Sequence, residues 1–246
     1  MTLREVETVV EAPPPRTSVS PWDWSDILLS VPLAFLLASA ISFGLVTVIV
    51  PLIPLQDHDL RNAVGKFLLQ FSLYAGVVGA VLLLVTVRRH ASLRTLGWRP
   101  VALRWVLLAV PLAMAAYLLV VIAGALGNEL FPQAHNGQPK AVRDAFGHYQ
   151  GLAVVAVSVI APLAEETLFR GFIYGWLRGR VPLAMAVAIS ALVFAAAHAE
   201  LALLVPIFVL GCLLALVYER SGSLVPGAIV HAIFNLIGVV LIFSTS

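Results

Sequence analysis

Long apolar segments separated by short polar stretches dominate the pattern of this chain. They lie at 27–50, 64–87, 101–126, 150–178, 181–199, 201–218 and 223–243. A helix needs roughly 20 predominantly apolar residues to cross the hydrocarbon core of a bilayer. Backbone polar groups inside a membrane must be satisfied within the segment, so each stretch is predicted to be a helix. The pattern predicts an all-α fold, a polytopic transmembrane helical bundle of about seven spans.

The composition excludes an ordinary soluble domain. The chain is 61% hydrophobic and 11% charged, with a mean hydropathy of +0.99. An average soluble domain carries about 25% charged residues, so this chain has too little charge to cover a soluble surface. The formal net charge of +2 gives no indication of nucleic-acid binding. The single cysteine, Cys212, excludes an internal disulfide and zinc-ribbon chemistry.

The apolar pattern divides the chain into four regions. Residues 1–26 contain three consecutive prolines and no apolar core, so we predict a disordered tail and not a cleavable signal peptide. Residues 27–126 are predicted to hold the N-terminal transmembrane helices. Residues 127–149 form the longest predicted loop after the tail, and residues 150–243 form a C-terminal helical core that carries the candidate chemistry.

The distribution of arginines predicts the orientation of the chain in the membrane. The largest cluster of positive charges follows the second span: Arg88, Arg89, Arg94, Arg99 and Arg104. Short loops rich in Lys and Arg remain in the cytoplasm. The N-terminus is therefore predicted to be cytoplasmic and the 127–149 loop extracytoplasmic. Ala, Val, Leu and Arg dominate the sequence, as is typical of high-GC bacteria, so the predicted location is a bacterial plasma membrane.

Strongly polar side chains within the C-terminal spans are few. Ionisable groups are costly inside a membrane and are rarely retained there without a partner or a role. They are the candidate functional residues: Glu165, Glu166, Arg170, His198, His231 and Asn235.

Helical spacing assigns different roles to the two adjacent glutamates. Glu166 and Arg170 are four residues apart, so they share a helix face and are predicted to form a supporting ion pair. Glu165 points about 100 degrees away from Glu166 and stays available. Glu165 falls mid-span whereas His198 falls near the end of its segment. Either the 150–178 span is tilted or broken, or the turn at 199–201 is sunk into the protein, and either arrangement indicates a cavity.

Two imidazoles and a free carboxylate suit hydrolysis. Glu165 could act as general base for a water molecule, with His198 and His231 assisting. Asn235 could orient the water or stabilise an oxyanion. Glu165, His198 and His231 are also a ligand set for a divalent metal such as zinc. Packing roles compete with these: interhelical hydrogen bonds for the histidines and Asn235, and core packing for Phe194.

Other common hydrolytic motifs are missing from the sequence. Ser158 and Ser190 lack the GxSxG context of a serine nucleophile. The HExxH motif of many zinc proteases does not occur. A serine mechanism is therefore disfavoured, and metal ligands would have to come from separate helices.

At these residues the chain resembles the CPBP family, which comprises the type II CAAX prenyl endopeptidases and bacteriocin-processing or self-immunity relatives. The resemblance covers about residues 150–240, on the motifs Glu165-Glu166-Thr-Leu-Phe-Arg170, Phe194-x-x-x-His198 and His231-x-x-x-Asn235. Gly97-Trp98-Arg99 also looks like a juxtamembrane element of bacterial members. All three motifs are intact, so nothing in them indicates an inactive homologue.

The resemblance implies an intramembrane endopeptidase acting on a peptide or lipidated protein substrate beside membrane lipid. It implies Glu165 as the base for a water molecule, His198 and His231 as assistants, and Asn235 at the oxyanion. Two other classes of function remain open. One is a non-catalytic membrane adaptor or immunity protein, which the intact glutamates and histidines disfavour. The other is a small proton-coupled transporter, which the lack of an internal repeat disfavours.

Overall fold

A computed structural model describes residues 20–52 and 57–244 of this chain. Within these ranges it contains nine helices and no strand: α1 Trp24–Leu52, α2 His58–Arg88, α3 Leu93–Leu96, α4 Leu103–Leu130, α5 Gln138–Phe146, α6 Gln150–Arg178, α7 Leu183–Ala197, α8 Leu201–Ser221 and α9 Leu224–Ser244. The prediction of an all-α transmembrane bundle is confirmed. The chain is a multi-pass helical membrane protein.

Each of the seven predicted apolar segments corresponds to a helix. Six of the helices in the described ranges are long and apolar enough to cross a membrane, and α7, with 15 residues, is shorter. The 127–149 stretch is not a simple loop, because α4 continues to Leu130 and α5 forms beyond it. Residues 1–19 of the predicted tail lie outside the described residues. Trp22 is buried and α1 begins at Trp24, so residues 22–26, which were predicted as part of the tail, pack as part of the bundle.

Helices α1 and α2 are joined by an ion-pair cluster at one end. Asp26 is fully buried and pairs with Arg88 at 2.9 Å and with Arg89 at 2.6 Å. Hydrogen bonds from Ser25 and Arg89 lower the pKa of Asp23 to about 2, so this helix-capping carboxylate stays charged. Gly76 allows the close crossing, since a Cβ there would lie 2.6 Å from the Ala34 carbonyl oxygen. The predicted cytoplasmic arginines therefore also clamp two helices together.

Helix α6 carries both adjacent glutamates and shares with α8 the largest buried fraction among the spans in the described residues. Half of the residues in its most apolar stretch are buried, whereas none are buried in the corresponding stretch of α1. Two parts of it are π-helical, Ala156–Ile160 and Glu166–Tyr174. Pro162 lies between them, and proline removes an intrahelical hydrogen bond and disturbs the preceding turn. The span is thus irregular around Glu165, as the conflict of depths indicated.

Helix α7 is too short to cross a membrane, since 15 residues rise about 22 Å. It ends at Ala197 with His198 as the C-cap residue, and Ala199 adopts a left-handed conformation with φ of 54°. The chain then turns directly into α8. His198, at this turn, lines the same cavity as Glu165.

The Gly97-Trp98-Arg99 element closes the arginine-rich end of the bundle. Gly97 has φ of 108°, and any Cβ on it would collide with the Tyr218 ring. The Trp98 indole donates to Thr167 Oγ1 at 3.1 Å, and the Leu224 N–H donates to the Gly97 carbonyl at 2.9 Å. The element ties the loop before α4 to α6 and α9.

Candidate active site

A cavity of about 570 Å³ lies among α2, α5, α6, α7, α8 and α9. Four of the predicted site residues line it: Glu165, His198, His231 and Asn235. The rest of its wall is mainly apolar, with Gln70, Tyr74 and Gln138 as additional polar groups. A mostly apolar pocket with a few convergent polar groups is the usual form of a ligand site.

Glu165 is the carboxylate that faces this cavity, with 15% of its side chain exposed. The Tyr74 hydroxyl donates to its Oε1 at 2.9 Å. Its Oε2 lies 3.6 Å from His231 Nε2. Glu165 is therefore held by one donor and lies beside an imidazole, while the cavity gives it access to a small molecule.

Glu166 and Arg170 form the predicted ion pair, with both side chains fully buried. Arg170 Nη1 lies 3.1 Å from Glu166 Oε1. Arg170 Nη2 donates to the Gly211 carbonyl at 3.3 Å, and its guanidinium lies 4.2 Å from the centre of the Phe194 ring. Gly227 makes room for the carboxylate, since a Cβ there would lie 3.0 Å from Glu166 Oε2.

Glu166 also contacts the catalytic candidate His231. The same Oε1 that faces Arg170 lies 3.3 Å from His231 Nδ1. A carboxylate can only accept here, so Nδ1 carries the proton and Nε2 points toward Glu165. The two glutamates therefore contact the two ring nitrogens of one imidazole, Glu166 at Nδ1 and Glu165 at Nε2. The π-helical turns that begin at Glu166 belong to a class of irregularity frequent at functional sites.

His198 lines another part of the cavity wall. Its Nδ1 lies 2.9 Å from the Phe194 carbonyl oxygen, which is one of the last carbonyls of α7. A carbonyl only accepts, so Nδ1 donates and Nε2 is left with a lone pair. The hydrogen bond satisfies a helix-end carbonyl and fixes the imidazole at the cavity edge.

Asn235 and Phe194 make the packing contacts that the sequence left open as alternatives. The Asn235 amide donates to the Val157 carbonyl at 2.8 Å, which joins α9 to a π-helical part of α6. An amide group has a second N–H, so this contact leaves one donor for the cavity. The Phe194 ring packs edge-on against both histidines, with centroid distances of 4.9 Å to His198 and 5.8 Å to His231.

The sequence left open whether Glu165, His198 and His231 bind a divalent metal. In the part of the chain that the structure describes, no three His, Cys, Asp or Glu side chains are gathered as metal ligands. The mechanism proposed below therefore contains no metal step.

Tyr74 contacts Glu165 directly but was not among the predicted site residues. Tyr74 lies on α2, outside the C-terminal core that carries the motifs. Gln70 lines the same cavity four residues earlier, on the same helix face. Gln70 and Tyr74, four residues apart in an apolar helix, could have indicated this contact from the sequence, because each polar group in a membrane needs a partner.

Replacing Tyr74 with phenylalanine should lower kcat about 10- to 100-fold with little change in KM. The variant loses one hydrogen bond to a charged group, worth about 1.5–3 kcal/mol. Steady-state cleavage of a membrane-embedded peptide measures the effect. Tyr117→Phe is the matched control, because Tyr117 packs against Phe234 but does not itself line the cavity. Equal loss in both variants would mean that Tyr74 has no specific effect on Glu165.

Comparison with known proteins places the resemblance on the helices that build this site. Residues 148–237 match the family described as "Type II CAAX prenyl endopeptidase Rce1-like". The UPF0177 protein YxdF of Lactococcus lactis subsp. lactis (strain IL1403) is 34% identical over 83 residues, which cover 33% of this chain. That match spans less than half, 45%, of the relative's own length. No solved structure gives a significant match.

Proposed function

We propose that this protein is an intramembrane endopeptidase that hydrolyses a peptide bond in the Glu165 cavity. The observation that carries the proposal is the arrangement around Glu165. A carboxylate open to a cavity is held by Tyr74 and lies beside His231, which in turn contacts the buried Glu166–Arg170 pair. The match of residues 148–237 to an endopeptidase family supports the same reaction class.

In the proposed mechanism, Glu165 acts first as general base. It takes a proton from a water molecule in the cavity while the water oxygen attacks the scissile carbonyl carbon. The His198 Nε2 lone pair accepts the water's other hydrogen and directs the attack. A new C–O bond forms and the carbonyl oxygen becomes an oxyanion.

The second step breaks the C–N bond. The oxyanion receives a hydrogen bond from the second Asn235 N–H, and the newly protonated Glu165 donates to the lone pair of His231 Nε2. Glu166 accepts from His231 Nδ1 and fixes that imidazole beside Glu165, in the way that a buried aspartate orients the histidine of a hydrolytic triad. Glu165 passes its proton to the leaving amine, so the products are a carboxylic acid and an amine. Arg170 pairs with Glu166 and holds it in position.

The proposal is tested by cleavage profiling of the purified protein in lipid vesicles. A panel of apolar single-span peptides is incubated with it and the products are identified by mass spectrometry. We expect pairs of complementary fragments from a subset of the peptides. Serine- and cysteine-directed inhibitors should have little effect, because no serine or cysteine in the described residues lines the cavity.

The contrary outcome is equally specific. Stable, stoichiometric capture of a membrane partner that stays intact, together with no cleavage of any peptide, would favour the non-catalytic adaptor. Cleavage that serine-directed inhibitors abolish would show that a different nucleophile, or a contaminating protease, is responsible.

A further inference from the structure

The bundle has two distinct ends, which side-chain contacts define. At one end, Trp22 donates to the Phe172 carbonyl and Tyr218 donates to the Leu96 carbonyl. This arginine end comprises residues 20–26, 88–104, 172–180 and 218–224. At the other, Tyr149 bonds Asp57 and the Gly137 N–H donates to Glu200 Oε2. This cavity end comprises residues 57–66, 129–150, 198–203 and 242–244.

Positive charge is concentrated at the arginine end. Among the described residues it holds eight Lys or Arg side chains: Arg88, Arg89, Arg94, Arg99, Arg104, Arg178, Arg180 and Arg220. The cavity end holds four: Arg61, Lys66, Lys140 and Arg143. Lys and Arg in short loops set orientation whereas Asp and Glu contribute little, so the ion pairs to Asp23 and Asp26 do not weaken this difference. This difference predicts that the arginine end faces the cytoplasm.

The catalytic cavity is built toward the opposite end. Helix α5, which belongs to the cavity end, supplies part of its wall: Gln138, Ala141, Val142, Ala145 and Phe146. The Gly137 N–H at the start of α5 is accepted by Glu200, two residues after His198. Helix α5 is thus fastened to the turn that positions His198.

The arginine end is closed by packing. Helix α6 approaches the 93–99 segment so closely that a Cβ on Gly171 would lie 2.9 Å from the Leu96 carbonyl oxygen. The Trp98–Thr167 and Tyr218–Leu96 hydrogen bonds cross the same layer. No described residue of the arginine end lines the cavity.

We propose that the cavity is reached from the extracytoplasmic side, so that the substrate is a peptide segment presented at the outer face of the membrane. Its chemical class is an exported polypeptide or the outer end of a membrane-anchored one, with small or apolar residues against the inner face of α5. A lipidated C-terminus that remains in the cytoplasm does not reach this cavity. The proposed substrate class rests on the proposed function, whereas the direction of access does not.

Cysteine labelling tests the direction of access without any activity. In a Cys212→Ala background, the single variants Ala141→Cys on α5, His148→Cys beside it and Thr95→Cys at the arginine end are expressed in bacterial cells. All three native side chains are exposed. A membrane-impermeant maleimide should label positions 141 and 148 in intact cells and position 95 only after permeabilisation. Labelling of position 95 in intact cells overturns the proposal.

A pair of reporters tests whether the substrate is cleaved at the outer face of the membrane. The same apolar span and cleavable sequence are built in two orientations, with the sequence on the outer or on the cytoplasmic face. Only the outward-facing reporter should be cut, and cleavage of the cytoplasmic one overturns the proposed substrate class. If labelling is as expected and neither reporter is cut, the direction of access stands and the endopeptidase function is what fails.

Discussion

Replacing Glu165 with glutamine should abolish peptide cleavage while the protein still folds and still binds substrate. Glutamine keeps the volume of the side chain and can still accept the Tyr74 hydrogen bond, but it cannot take a proton from water. General acid–base groups contribute about 100- to 10,000-fold each. Glu165 serves as base and then as acid in the proposed steps, so we expect the loss at the upper end of that range.

Substrate binding separates this effect from misfolding. A fluorescent membrane peptide should bind Glu165→Gln with an affinity close to that of the wild type, and the thermal midpoint should be little changed. His198→Ala and His231→Ala should be nearly as inactive, because residues that act as a unit are strongly non-additive. Retained cleavage in Glu165→Gln would instead make Glu165 a packing residue.

Replacing Arg170 with alanine should destabilise the protein as well as inactivate it. The variant leaves the Glu166 side chain buried without its partner, and removal of one member of a buried pair costs about 3–5 kcal/mol. His231 then loses its fixed neighbour too, since Glu166 Oε1 faces both side chains. Yield of monodisperse protein and the thermal midpoint in detergent measure the stability.

Arg178→Ala is the matched control for Arg170→Ala. Arg178 lies on the same helix and pairs with Glu219, but 27% of its side chain is exposed. Pairs near the surface are worth about 0–1 kcal/mol, so this variant should remain stable and active. Removing both buried partners, as Glu166→Gln with Arg170→Met, should restore part of the lost stability. Full yield and stability in Arg170→Ala, with activity lost, would make Arg170 a direct catalytic residue.

The helical fold and its spans follow from hydrophobicity, because a lipid environment leaves the backbone few alternatives. The Glu166–Arg170 pair follows from spacing, since a four-residue interval puts two side chains on one face. The conflict between the depths of Glu165 and His198 likewise predicted an irregular backbone. The structure shows π-helical turns within α6, beginning at Glu166, and a short α7 of 15 residues.

The rest of the site depends on packing that no single helix specifies. Tyr74 reaches Glu165 across 91 positions of sequence, from a helix without any recognised motif. Spacing on α6 separated the two glutamates by direction, yet both contact His231, because that imidazole comes from α9 and lies between them. Helix α5 was predicted as loop, since its apolar face becomes evident only where it lines the cavity.

The most direct test of the account compares three proteins in identical lipid vesicles: the wild type, Glu165→Gln and Glu129→Gln. Glu129 is exposed at the end of α4 and does not line the cavity. Equal amounts of each folded protein receive one membrane-embedded peptide, and the fragments are quantified by mass spectrometry over time. The account predicts equal rates for the wild type and Glu129→Gln and no fragments above background for Glu165→Gln. Equal rates for all three proteins would contradict it.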